Sequence, residues 1–150
     1  MIATDHKLEE VLLYCTEFAQ LMLRDSGEFY PFGSTVDATG SVHAVAGYDG
    51  ERPAPRELYS LLVGVFQSQA AAGTIHAAGL VANVDVPKEY AAPYPDAIRV
   101  HLERDGWSRF IYIPYRILTK GFFRKARTVE YAEMIAVEIP PKFFPARAST

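Results

Sequence analysis

An α+β domain is predicted, built on a mainly antiparallel sheet of five to six strands with two helices packed on one face. Three observations predict it. Residues 96–114 alternate apolar and polar side chains on both sides of Asp105-Gly106, as two strands do around a tight turn that needs positive φ. Two other stretches repeat their apolar residues every three or four positions, the spacing of amphipathic helices. The strand candidates follow one another through short turns in the order α-β-β-α-β-β-β-β, which favours antiparallel pairing with helices layered on the sheet.

The first helix is read over 5–24, where Leu8, Val11, Leu12, Cys15, Phe18, Ala19 and Met22 form one stripe. Thr4 or Asp5 can cap its start, Glu9 and Glu10 suit its positive end, and Gly27 suits a left-handed stop. Pro31 then holds Glu28–Gly33 extended. Ser34–Ala38 and Ser41–Tyr48 read as two strands around Thr39-Gly40. Pro55 fits the first turn of a second helix, whose stripe is Leu58, Leu61, Leu62, Val65 and Phe66 and whose stop is Gly73. Gly64 inside that stripe suggests close helix packing.

Thr74–Val86 is a long strand, and its run Ala77-Ala78-Gly79-Leu80-Val81-Ala82 lacks polar alternation, as a strand covered on both faces would. Pro87, Pro93 and Pro95 make 87–95 an irregular loop. The 96–114 hairpin follows, ended by Pro114. A last strand spans 129–139, and Pro140-Pro141 opens an irregular tail over 140–150.

The 150 residues fit one domain, with 49% hydrophobic and 22% charged residues, ordinary globular values. A net charge of −3 argues against nucleic acid as a partner. Cys15 is the lone cysteine, so an intramolecular disulfide or thiolate cluster is excluded, and its apolar surroundings suit an inert core thiol. The first residues lack the basic and apolar regions of a signal peptide, and no apolar run approaches the ~20 residues of a membrane span. A cytoplasmic protein without membrane contact is the expectation.

Gly27-Glu28-Phe29-Tyr30-Pro31-Phe32-Gly33, with Gly40 in the next turn, forms one box. Ala97-Ile98-Arg99-Val100-His101-Leu102-Glu103, followed by Gly106 and Pro114-Tyr115-Arg116, forms another. Both resemble short bacterial proteins carrying a Phe-Tyr-Pro-Phe-Gly box and a later Pro-Tyr-Arg box, a group with no assigned activity. The resemblance implies a soluble bacterial protein and carries over no catalytic residue.

Several constellations bear on chemistry. His43, His76 and His101 fall on three different strands, which neighbouring strands can bring to one face, but they lack the spacing of a zinc site, and no metal or cofactor is expected. Asp37, Asp85, Glu103 and Glu133 lie in or beside strands, with Glu103 and Arg109 read as a cross-strand ion pair over the Asp105-Gly106 turn. No nucleophile elbow or phosphate loop occurs. Arg116, Lys120, Arg124, Lys125 and Arg127 give five positive charges without an acid over 116–127, interleaved with Phe122 and Phe123, read as a solvated loop or a patch for an anionic partner.

Aromatic residues crowd the strands. The preferred reading is a non-enzymatic protein-interaction module, a homodimer or a binder of another protein, using that apolar surface. The alternative is a small-ligand protein or enzyme with Tyr30, Trp107, Arg109, Tyr115 and Arg116 around an aromatic pocket.

Overall fold

The computed structural model describes residues 2–46, 54–120 and 126–144. Helix α1 (Ile2–Ser26) is longer than its stripe at both ends and stops at Gly27, whose φ is 78° and whose N–H reaches the Leu23 carbonyl at 2.9 Å. Strands β1 (Phe32–Asp37) and β2 (Val42–Val45) form the first hairpin. Helix α2 (Pro55–Ala72) begins on its proline and ends at Gly73, in the left-handed conformation with φ 74°. Then come β3 (Ile75–Asp85), β4 (Asp96–Arg104), β5 (Trp107–Lys120), β6 (Ala126–Tyr131) and β7 (Ile135–Glu138). The irregular loop expected over 87–95 begins one residue earlier, at Val86, and holds one 3₁₀ turn at Lys88–Tyr90.

All pairs in the sheet are antiparallel, in the order β2-β1-β3-β4-β5-β6, with β7 beside β5. The α+β class and element order are those read from the sequence. The stretch expected as one last strand is two. β6 pairs with the far half of β5 (Tyr115–Lys120), and β7 pairs with its near half (Arg109–Tyr112).

Pro114 does not end β5. Its carbonyl accepts the Ala132 N–H at 2.9 Å, on the side where β6 hands over to β7. Within one strand residue the carbonyl and amide positions point the same way, so the missing N–H falls in that gap and interrupts no ladder bond.

The expectation of two helices on one face is corrected by the side-chain alternation of β3. Ala77 and Val81 join the core under α1 with Val11, Cys15, Val100 and Ile111, while Ala78 and Leu80 join the core under α2 with Leu58, Leu62 and Phe66. Successive strand residues face opposite sides, so the helices lie on opposite faces and the sheet is the middle of three layers. The continuous apolar run 77–82 is the consequence. A third core, with Val86, Ala97 and Tyr112 packed by Tyr90 and Phe110, covers the α2 face beyond the reach of α2.

Two glycines make these layers possible. A Cβ at Gly79 would lie 2.8 Å from Val11 Cγ1 and 3.2 Å from Cys15 Sγ, and one at Gly33 would lie 2.8 Å from the Phe66 ring. Gly64, by contrast, has no atom of another described element within 4 Å of where its Cβ would stand, so it does not mark close helix packing.

Gly79→Ala is therefore expected to destabilise the fold by about 1–3 kcal/mol through overpacking. Gly64→Ala is expected to stabilise it by up to about 1 kcal/mol through helix propensity. Denaturant unfolding of the two variants checks both signs.

Candidate functional site

The pairing register puts Arg99, His101 and Glu103 of β4 opposite Tyr112, Phe110 and Ser108 of β5. All six lie on the α2 face. Glu103 is therefore not opposite Arg109, which pairs with Leu102 on the α1 face, and the expected ion pair is absent. A two-residue loop makes Arg104 and Trp107 the closing pair, and the register follows from it.

Glu103 is fully buried (0% exposed), with His101 and Ser108 almost so at 3% each. Its Oε1 accepts from His101 Nε2 at 2.7 Å, Ser108 Oγ at 3.0 Å and the Lys142 N–H at 2.8 Å. Its Oε2 accepts from the Phe143 N–H at 2.8 Å and the Phe144 N–H at 2.6 Å. Three successive backbone amides of the tail thus curl around one carboxylate, as such amides do around bound anions. Burial alone would raise the Glu103 carboxyl, but the bonds from His101, Phe144 and Lys142 together hold it below the ordinary carboxylate range.

Serine, histidine and glutamate in contact invite comparison with a catalytic triad, and the geometry differs in the atom that matters. His101 uses the same nitrogen toward Glu103 and toward Ser108 Oγ, 3.1 Å away. A triad histidine holds the acid on one nitrogen and the nucleophile on the other. Ser108 Oγ gives its proton to Glu103 directly. The Phe143 ring lies over His101 at 4.2 Å between centroids and stands edge-on to Phe66 at 5.4 Å, closing the cluster. The cluster is a latch that fastens the tail to the sheet.

Two positions along the same strand, Arg99 sits in a different setting. Its guanidinium carbon lies 4.2 Å from the Phe110 ring centroid and 5.4 Å from that of Tyr59, and Nη2 donates to the Tyr59 hydroxyl at 3.0 Å. Tyr112 faces it across the strands; burial raises that phenol, and the Arg99 charge pulls it partly back. Arg99 Nε is enclosed without a hydrogen-bond partner.

The structure brings only part of the sequence-read pocket together. Tyr115 and Arg116 line an 800 Å³ cleft with Gly27, Asn83, Asp85 and Asp96 at one end of the sheet. Tyr115 donates to Asn83 Oδ1 at 2.7 Å, and burial, joined by the Asp96 and Asp85 charges, raises its hydroxyl. Arg116 is occupied by Glu130 and lies over Tyr94. Trp107 and Arg109 stack on each other at 4.8 Å, at the other end of β5. Eight strand residues separate Trp107 from Tyr115, roughly 26 Å at strand rise. Tyr30, just before β1, is not among the residues lining the cleft.

The three strand histidines do not converge. His43 bonds Asp37 Oδ2 at 2.6 Å at the exposed β1–β2 hairpin, His76 is exposed, and His101 is in the latch. Among the described residues no group of three His, Cys, Asp or Glu side chains is placed to hold a metal ion. Burial pushes the Cys15 thiol well above its usual range, which fits its reading as a core residue. Of the basic segment, Arg116 and Arg127 are engaged with Glu130 and the Asp25 carbonyl; 121–125 lie outside the described residues. No described helix is long and apolar enough to cross a membrane.

Removing the latch carboxylate leaves buried donors without an acceptor. Glu103→Gln is expected to lose about 3 kcal/mol or more at pH 7. The Glu103 and Asp37 carboxyls are both held low in the fold. Their stabilisation is therefore present above the unfolded carboxylate range, near ~4, and is lost as pH falls below it. Denaturant unfolding at neutral and acid pH should show the Gln variant with a shallower acid-side loss than the wild type.

No family model, curated protein or solved structure matches the chain, so no function is carried to it by likeness.

Proposed function

We propose that the chain is a protein-interaction module that pairs with a second copy of itself through the outer flank of α1. The observation that carries this reading is a second apolar stripe on that helix. Leu8, Val11, Cys15, Ala19 and Leu23 already face the sheet and are buried. Yet Leu13, Phe18 and Leu21 are 57%, 37% and 40% exposed, and the Tyr14 ring stacks parallel to Phe18 with centroids 6.1 Å apart.

Tyr14, Phe18 and Leu21 fall at i, i+4 and i+7, so they share one side of the helix. Phe18 meets Phe32 edge-on at 4.8 Å, which ties the stripe to the Phe-Tyr-Pro-Phe-Gly box. Large apolar side chains gathered on a helix flank are what a partner surface covers.

The stripe also suits an antiparallel copy of itself. Glu17 and Arg24 lie on either side of Leu21, and all three line a groove of about 550 Å³ between α1 and β6. Two α1 helices related by a two-fold axis near Leu21 would set Glu17 of each beside Arg24 of the other, an isologous match.

Light scattering coupled to size exclusion should then give about twice the 16.7 kDa chain mass. Leu21→Glu should weaken association at least tenfold, about 1.4 kcal/mol, while leaving the fold intact because the position is exposed. A wild-type chain that stays at 16.7 kDa at every concentration would overturn the proposal.

A further inference from the structure

We propose that Arg99 is the anion-recognising group of a small-ligand site on the α2 face, between Tyr59 and the aromatic residues of β5, taking a small aromatic carboxylate or phosphate. This site is independent of the α1 flank and lies on the opposite side of the sheet.

The first support is the state of the charge. A guanidinium stays protonated in proteins, and a cation drawn out of water is normally met by an acid. Among the described residues no carboxylate lies within 4 Å of Arg99, whereas Arg24 and Arg116 each have one. Its hydrogen-bond partner is the Tyr59 phenol, its packing partners are the Tyr59 and Phe110 rings, and Tyr112 faces it across the strands. Aromatic faces offset part of the cost of burying a cation without neutralising it.

The second support is the hydrogen-bonding capacity left over. The guanidinium offers five N–H donors in a planar fork. One goes to the Tyr59 hydroxyl, while Nε is enclosed without an acceptor among the described residues. The side chain rises from a central strand and is half-buried overall. Nε is the enclosed part of a side chain that is not enclosed as a whole, so a ligand would meet its Nη end. Carboxylate and phosphate are the acceptors that fit such a fork.

The third support is the wall. Phe110 and Tyr59 flank the guanidinium, and the Tyr90 ring stands 5.7 Å from that of Tyr112 at the edge of the 86–95 loop. Half-buried rings around a fixed cation suit a flat apolar body carrying one anionic group. Glu103, four residues along the same strand face, is saturated by its own donors and does not compete for Arg99.

Isothermal titration of the full chain with benzoate, phenyl phosphate and inorganic phosphate tests the assignment. Benzoate and phenyl phosphate are expected to bind at millimolar concentration or below, phenyl phosphate more tightly than inorganic phosphate. Arg99→Met should lower these affinities at least about tenfold. Tyr59→Phe, which removes one hydroxyl from a half-buried position on α2 and keeps the ring, should lower them several-fold even where the Arg99 variant folds poorly. Absence of binding by the wild-type chain to all three anions would overturn the site. So would affinities unchanged in Tyr59→Phe and in a folded Arg99→Met.

Discussion

A carboxylate with no exposure to solvent, near the end of an interior strand of a sheet covered on both faces, constrains more of this structure than any other group. Removing a charge from water costs several kcal/mol unless hydrogen bonds replace the lost hydration. Glu103 receives five, and three come from Lys142, Phe143 and Phe144, some forty residues away in sequence. Satisfying Glu103 therefore fixes where the tail runs. Once the tail is fixed, the Phe143 ring falls between His101 and Phe66 and joins β4 to α2. An electrostatic requirement at one residue closes the apolar core of that face.

Arg99 and Glu103 show why the same strand face carries two opposite solutions. They are four residues apart, roughly 13 Å along a strand, too far to neutralise one another. Glu103 lies where the tail can bring backbone amides to it. Arg99 lies where α2 gives way to the 86–95 loop, and what surrounds it there is aromatic. The anion is met from within the chain; the cation is cushioned by rings and left with donors to spare. That asymmetry separates a structural latch from a site proposed to recognise a ligand.

Much of the architecture was legible because it is local. The period of three or four in α1 and α2, the glycine stops at Gly27 and Gly73, and the Asp105-Gly106 hairpin all depend on neighbours in sequence. The layer arrangement was only half legible. The unbroken run 77–82 signals a strand covered on both sides, and that is incompatible with placing both helices on one. The latch was hidden for a different reason. Arg99, His101 and Glu103 alternate with Ile98, Val100 and Leu102, the pattern of a solvent-facing edge, and only a partner forty residues downstream reverses it. The five-residue aromatic pocket fails on strand geometry, since Trp107 and Tyr115 belong to one extended strand and stand far apart along it.

The two faces of the sheet also separate the two proposed activities. On the α1 side the central strands contribute Val81, Val100 and Ile111, a dry apolar layer that carries the helix whose far flank is exposed. On the α2 side β4 contributes Arg99, His101 and Glu103. A surface built on α1 and a pocket built around Arg99 share only the backbone of β3, β4 and β5 between them. Association through α1 leaves Tyr59, Phe110 and Arg99 uncovered, so a paired molecule would carry two copies of the anion site, facing away from the interface. Coupling between them would have to pass through the packed strands, where Gly79 leaves Val11 and Cys15 no room to shift toward the sheet. A sheet this tightly held between its layers favours two independent sites over a switch.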